Sequence, residues 1–440
     1  MIAMLSVSFN GNAQTTLASA VTTDKDAPKA DQSVNTPTES KAVVKSADAD
    51  TSWKPVRRLW GYTFGDFYYD AHADATNRGS ETMYNGVPTY RNAFQFRRIY
   101  LGYDYDINQK FTAEVLLASE PNANTGVNGT TAIQNGDNLV DNKMAFWIKN
   151  FNLRWRNVWS GTDFVIGEMS TPGFALNEPG TNGPTSLSES TWAYRSIEKT
   201  VTDFHKNNSY DVGAALQGTF DPATKNFGYV VMVGNNSQSS LLAASAPNTG
   251  FYKIFYGDLW GKFFDKHLYV DIYADYAKTA QSTFLIGDEE HNMLKGFVSY
   301  VSQKLSVGVE AYTQNLANAV TNTTSKLPEN ATVHAISLWV RGAIVKDKVG
   351  FFARYDSYNP DTQFNTSDAY TVNPNGYSTY NPTTKEQFYT AGIDFTPAPK
   401  IHFMPNVWLV DYANQGTTAA TVVNDHTLVY RLTFFYTFGK

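Results

Sequence analysis

Cysteine is absent from this 440-residue chain. That excludes a disulfide framework, a zinc–thiolate centre, a cysteine nucleophile and a lipid anchor on an N-terminal cysteine. Charge is sparse. Asp, Glu, Lys and Arg make up 17% of the residues, against about 25% in an ordinary soluble domain. The formal balance of -6 leaves no basic footprint, so nucleic acid is not an expected partner. No apolar run approaches the roughly 18 residues that a membrane-spanning helix needs. There is no G-x-S-x-G, no H-E-x-x-H and no P-loop pattern. The histidines at 72, 205, 267, 291, 334, 402 and 426 are scattered. No catalytic residue, no cofactor and no metal ligand set is expected.

What is abundant is aromatic: 27 Tyr and 28 Phe help bring the aromatic share to 15%. Mean hydropathy is nevertheless negative, at -0.36. A transmembrane β-barrel reconciles the two. Its lipid-facing and lumen-facing residues alternate, so the mean looks soluble, and its aromatic rings collect in girdles at the membrane interfaces.

The N-terminus reads differently. Met1 to Phe9 is a short apolar run, and Gly11-Asn12-Ala13 fits a small-x-small cleavage site before Gln14. Residues 1–13 therefore resemble the tail of a secretory signal peptide. Residues 14–52, rich in Asp, Lys, Ser, Thr, Ala and Pro, read as a disordered linker.

From Leu59 onward the dominant period is two. The last segment is the clearest. Leu428, Tyr430, Leu432, Phe434, Tyr436 and Phe438 share one face, and Thr427, Val429, Arg431, Thr433, Phe435 and Thr437 share the other. The first set reads as lipid-facing, with Phe438 as the closing aromatic of the last strand, and the second as lumen-facing. On that reading Arg431→Leu would cost folding little. The same pattern predicts strands at about 59–70, 91–106, 109–120, 143–156, 162–169, 208–220, 226–235, 251–264, 267–278, 290–303, 304–314, 333–346, 348–357, 385–397, 399–412 and 425–438. The fold class is all-β: an antiparallel transmembrane barrel of about 16 strands over residues 53–440. Connections alternate between short ones and long ones, including 71–90, 121–142, 170–207 and 315–332. Short periplasmic turns opposite long external loops are the pattern of an outer-membrane barrel.

Parity places Arg98, Asp104, Glu114, Asp271, Asp275, Glu310, Arg341, Arg354, Asp356 and Arg431 on the lumen face, as candidate pore-lining residues. Their mixed signs suggest a transverse field that orients polar solutes. The longest connection, 170–207, is the candidate constriction loop. Within it, Ile197 and Val201 lie four apart, with Trp192 and Phe204 nearby, which predicts a short helical turn. Arg195, Glu198, Lys199 and Asp203 are its candidate constriction charges, and their balance favours no anion. Asp66, Asp70, His72 and Asp74 share parity, and their oxygens could hold Ca²⁺. Parity gives no ligand geometry, so a solvated strand end is the plainer reading.

Several ordered motifs resemble a known family. Phe96-Arg97-Arg98-Ile99-Tyr100-Leu101-Gly102-Tyr103, then Phe111 to Leu117, then Ile166-Gly167-Glu168 through Pro172-Gly173-Phe174 resemble the phosphate-selective porins (the O and P porins). So do Tyr210 to Gly218, Phe352-Ala353-Arg354-Tyr355-Asp356, Ala391-Gly392-Ile393-Asp394-Phe395 and Pro405-Asn406-Val407. The opening Leu59 to Asp66 is similar to porins of the Bacteroidota. The resemblance implies a sixteen-stranded homotrimer whose third loop folds into the pore. Together these readings point to a porin of the bacterial outer membrane. It would contact outer-membrane lipid and lipopolysaccharide and pass small polar solutes by diffusion. A barrel scaffolding a secretion or uptake partner, a barrel-based lipid hydrolase and a secreted adhesive β-protein remain alternatives.

Overall fold

A computed structural model describes residues 53–75, 84, 87–119, 139–140, 143–144, 146–174, 200–205, 209–236, 252–279, 288–322, 325, 327–364, 370–372, 384–414 and 424–439. The expected signal remnant, 1–13, and linker, 14–52, lie outside them.

Sixteen long strands form the wall. They are β1 (Arg57–His72), β2 (Asn92–Asp106), β3 (Phe111–Ser119), β4 (Trp147–Trp159), β5 (Thr162–Ser170), β6 (Tyr210–Thr219), β7 (Phe227–Gly234) and β8 (Ile254–Phe263). There follow β9 (Leu268–Thr279), β10 (Glu289–Val301), β11 (Leu305–Asn322), β12 (Pro328–Val345), β13 (Val349–Asn359), β14 (Thr384–Ala398), β15 (Ile401–Asn414) and β16 (Asn424–Gly439). Each pairs antiparallel with its neighbour in sequence, and β1 also pairs with β16, from Trp60↔Gly439 to His72↔Leu428. That last pairing closes the sheet, so the barrel has no edge. Closure lets a sheet cross lipid, because lipid offers no partner to an unpaired N–H or C=O.

The period-two pattern becomes two surfaces. Along β16, Val429, Arg431 and Thr433 are buried while Tyr430, Leu432 and Tyr436 are exposed. Around the wall the exposed residues are apolar. Leu153, Val231, Leu259, Ile272, Leu294 and Leu432 occupy mid-strand positions, and Tyr103, Tyr105, Trp155, Phe263, Phe403 and Phe438 lie near the short-turn ends. An aliphatic band bordered by aromatics suits a bilayer. The inward positions carry the polar and charged side chains.

The inward glycines matter where a large ring crosses the ladder. Trp60 lies over Gly102, and a Cβ there would fall 2.2 Å from the indole. Trp339 covers Gly308 in the same way.

One expected loop is mostly strand. Residues 315–332 continue β11 and β12 as a long hairpin, joined only across 323–327. The alternation there is interrupted by a register shift between Leu316 and Val320, around Asn318 at φ 57. Asn tolerates that left-handed conformation, and its side chain donates to the Asp288 carbonyl at 2.7 Å. The bulge hides the period from sequence. The short segment Tyr370–Val372 adds to the same hairpin, pairing with Val320–Asn322.

Candidate functional site

The inner wall divides into two sectors. In the first, β12 to β16 and onward to β4, arginines meet carboxylates across the ladder. Arg431 of β16 donates to Asp66 of β1 through Nε at 3.0 Å and through Nη2 at 2.6 Å, both side chains being fully buried. Its guanidinium also lies 4.1 Å from the Trp408 ring centroid. Asp66 further accepts from Tyr84 at 3.0 Å and Gln95 at 2.8 Å. Across the ladder Arg154 also pairs with Glu114 at 3.0 Å and Arg58 with Asp104 at 2.7 Å, while Arg354 pairs with Asp356 of its own strand at 2.7 Å. Arg98 is buried against the rings of Phe64 and Tyr100. Arg341 sits half-buried at the short-turn mouth. There it shares a hollow of about 920 Å³ with Lys304, Lys346, Lys348, Asp394 and His402.

The second sector, β5 to β11, is acidic. Glu168, Asp211, Asp258, Asp271, Asp275 and Glu310 are all buried there, and among the described residues of these strands Lys295 is the one buried Lys or Arg. Lys295 donates to the Gly173 carbonyl. Asp275 is held by Tyr273 and by the Met293 N–H at 3.2 Å, with His291 at 3.4 Å. Asp211 accepts from Tyr256 at 2.8 Å. Asp258 and Asp271 lie against one another as a carboxyl pair, and Oε2 of Glu310 has no hydrogen-bond partner.

All ten parity-derived residues therefore lie inward, nine of them buried and Arg341 at the mouth. Asp66, Asp258, Glu168, Asp211 and Lys295 were not among them. Asp66 and Asp258 carry the same parity signal as their neighbours, so the pattern held them. Only the partner across the ladder, 365 residues away for Asp66, distinguishes a paired charge from an open one. The parity group of Asp66, Asp70, His72 and Asp74, read from sequence as more plainly a solvated strand end than a Ca²⁺ site, does not assemble. Asp66 is committed to Arg431, and a bulge after Asp70 turns His72 out of line.

The β5–β6 connection enters the barrel at both described ends. Thr171–Gly173 are buried, with Pro172–Phe174 forming a 3-10 turn. At the other end Thr200 caps the single helical turn α1 (Val201–Phe204), its side chain accepting from the Asp203 N–H at 3.0 Å. All four residues of α1 are buried. Val201 joins the apolar cluster of the acidic sector, with Met232, Tyr273 and Tyr312, while Phe204 joins Phe388 and Trp408 of the paired sector. Thr202 donates to Glu310 at 2.6 Å, and Ser209 to Asp203 at 2.9 Å. His205 lies flat on Tyr358, with Nε2 3.9 Å from Glu386. Burial, and then the nearby Arg354 charge, push its pKa down to about 3, so the ring is neutral. Of the four expected constriction charges, Asp203 is in this turn. Arg195, Glu198 and Lys199 lie outside the described residues, as do Trp192 and Ile197.

No family model matches the chain, and no curated protein matches it. Solved structures do. The outer membrane channel DcaP of Acinetobacter baumannii is 11% identical, with 87% of this chain and 97% of that one covered at a TM-score of 0.56. An anion-selective porin from Comamonas acidovorans is 10% identical over 88% and 100%, at 0.53. The trimer form of OmpT, an outer membrane protein of Vibrio cholerae, is 10% identical over 87% and 99%, at 0.51. The chain therefore has the sixteen-stranded barrel fold of outer-membrane porins.

Proposed function

We propose that the chain is a porin of the bacterial outer membrane, passing small polar solutes and ions by diffusion, with a preference for cations. The observation that carries this reading is the unbalanced charge of one sector. From β5 to β11 six buried carboxylates face the inside with Lys295, whereas Arg58, Arg154, Arg156, Arg354 and Arg431 of the other sector are each matched by a carboxylate. In a narrow low-dielectric passage such a surplus attracts cations and repels anions. The paired sector opposite supplies the positive ends of a transverse field, and α1 narrows the space between the two.

The motif resemblance to the phosphate-selective porins supports the barrel and the infolded connection. It does not extend to phosphate, because an anion path needs a surplus of Arg and Lys. Nothing in this reading requires chemical turnover or a cofactor. An apolar hollow on the outer wall, lined by Leu338, Val340, Tyr355, Ala391, Val407 and Leu409, supports packing of copies into a trimer. Lipid and lipopolysaccharide would cover the rest of the outer band.

Purified protein in planar bilayers is expected to give stepwise current increments. Bilayers that stay silent at high protein density would favour a scaffold for a secretion or uptake partner. Release of fatty acid from added phospholipid would favour a hydrolase.

A further inference from the structure

At the long-loop end of the seam, the last residue of β1 and the first turn of β16 bring His72, Asp425 and His426 together. His72 meets Asp425 from 353 positions away and His426 from one position more. The arrangement starts from the bulge in β1. Asp70 pairs with Val429, but His72 pairs with Leu428, so Ala71 is the extra residue. Without the bulge His72 would follow Asp70 to the inner face. With it, His72 takes the register of Leu428 and reaches the rim. The chain beyond β1 then folds back over the start of β16, where the Asp74 N–H donates to Thr427 at 3.2 Å and the Ala75 N–H to Asp425 Oδ2 at 2.8 Å.

Asp425 is thereby oriented before any ligand arrives. Oδ2 is held by Ala75, and Oδ1 accepts from the His426 N–H at 2.8 Å and meets His72 Nε2 at 2.8 Å. His426 Nδ1 lies 3.8 Å from the same oxygen. The two imidazoles stack with centroids 4.1 Å apart and planes 21° from parallel. The three potential ligand atoms all lie within 4.8 Å of one another, and they form the one such His/Asp/Glu group among the described residues. Tetrahedral zinc with bonds of about 2.0–2.1 Å needs ligand atoms roughly 3.4 Å apart. The present spacings bracket that value, and closing the set requires the two stacked rings to tilt apart so that their in-plane lone pairs meet at one metal.

We propose that His72, Asp425 and His426 form a Zn²⁺ site that clips the first barrel strand to the last. Two nitrogens and one carboxylate oxygen suit zinc and disfavour Ca²⁺, which takes six or more oxygens. Both imidazoles are about two-fifths exposed, leaving an entry path and a fourth position for water. On binding, a neutral His72 presents the lone pair of Nε2 and carries its proton on Nδ1, so the hydrogen bond to Asp425 is exchanged for two bonds to the metal. The clip acts at the closure of the barrel and is independent of what the pore conducts.

The test uses the full chain without a polyhistidine tag, in detergent, titrated with Zn²⁺ against a chromophoric chelator. One site per chain is expected. His72→Gln and His426→Gln, which keep size and polarity, should each weaken it at least tenfold, and Asp425→Asn likewise. A millimolar excess of Ca²⁺ should leave Zn²⁺ bound. Zn²⁺ should also raise the temperature at which the wild-type barrel loses its compact gel mobility, but not that of the His72→Gln/His426→Gln variant. An unchanged affinity in that double variant, displacement by Ca²⁺, or the same thermal shift in both proteins would overturn the proposal. A folded wild-type barrel that binds no Zn²⁺ would leave His72–Asp425 as a plain hydrogen bond across the seam.

Discussion

The two sectors of the inner wall solve the same problem in different ways. Around the seam, the carboxylates Asp66, Asp104, Asp106, Glu114 and Asp356 each meet an arginine, and Asp70 is the exception, buried with both oxygens lacking a hydrogen-bond partner. From β5 to β11, six buried carboxylates have Lys295 among them and Lys149 of β4 beside Glu168. A buried pair gives little net stability, but losing one partner strands the other charge. The paired sector is therefore where the wall is structurally committed. In the acidic sector Asp211, Asp275 and Glu310 are held by hydroxyl and backbone N–H groups and not by an arginine. A carboxylate without a matching cation can act on a passing ion.

The largest expected effect breaks a pair. Arg431→Leu leaves the fully buried Asp66 carboxylate without its guanidinium, and Asp66→Ala takes the carboxylate from Arg431. Each should cost about 3–5 kcal/mol in urea unfolding from lipid. Asp258→Asn, in the other sector, should cost far less, because Asp258 has no arginine partner to strand. Equal losses in both sectors would erase the distinction between them. Next in size is the neighbouring outward position. Leu432→Arg puts a charge on the lipid face, and it should cost about 2–4 kcal/mol at the bilayer midplane, less towards the rim.

The turn α1 spans the two sectors, and its anchors should show smaller effects. His205 faces Tyr358 and Arg354 of β13 and Glu386 of β14, with Asp203 two residues before it. Its pKa in the fold is depressed to about 3 from 6.5. The unfolded chain therefore binds a proton that the folded chain refuses. The contribution is complete above pH 6.5 and is lost as pH falls from there towards 3. The slope is on the order of 1.4 kcal/mol per pH unit. Denaturant midpoints measured at pH 7, 6 and 5 should fall, and His205→Phe should flatten the series by this one proton. The smallest effect is at the cap. Thr200→Ala removes the acceptor for the Asp203 N–H and should cost about 1 kcal/mol. If stability and single-channel conductance are both unchanged in Thr200→Ala, α1 does not narrow the channel.

The strands were legible because each face of a barrel strand meets one solvent along its length. Leu432 meets lipid and Thr433 the interior, and the alternation records it. The β11–β12 hairpin escaped because one bulge at Asn318 shifts the period, and Asn-rich strand ends resemble loops. The faces of the candidate site were also legible, but its energetics were not. Arg431 read as a hydrated lumen charge whose replacement is cheap. Its partner Asp66 sits in the first strand, and only closure of the barrel brings them within 2.6 Å. The seam pairing was missed for the same reason. Parity grouped His72 with Asp66, Asp70 and Asp74, and a bulge that no pattern announces points it towards His426 instead.

The zero-current potential of single channels across a tenfold KCl gradient tests the central claim most directly. The acidic sector predicts a potential whose sign reports K⁺ more permeant than Cl⁻. It also predicts a shift towards zero in Asp258→Asn/Asp271→Asn, with conductance retained. A potential showing preference for Cl⁻, or one unmoved by that double substitution, would contradict it.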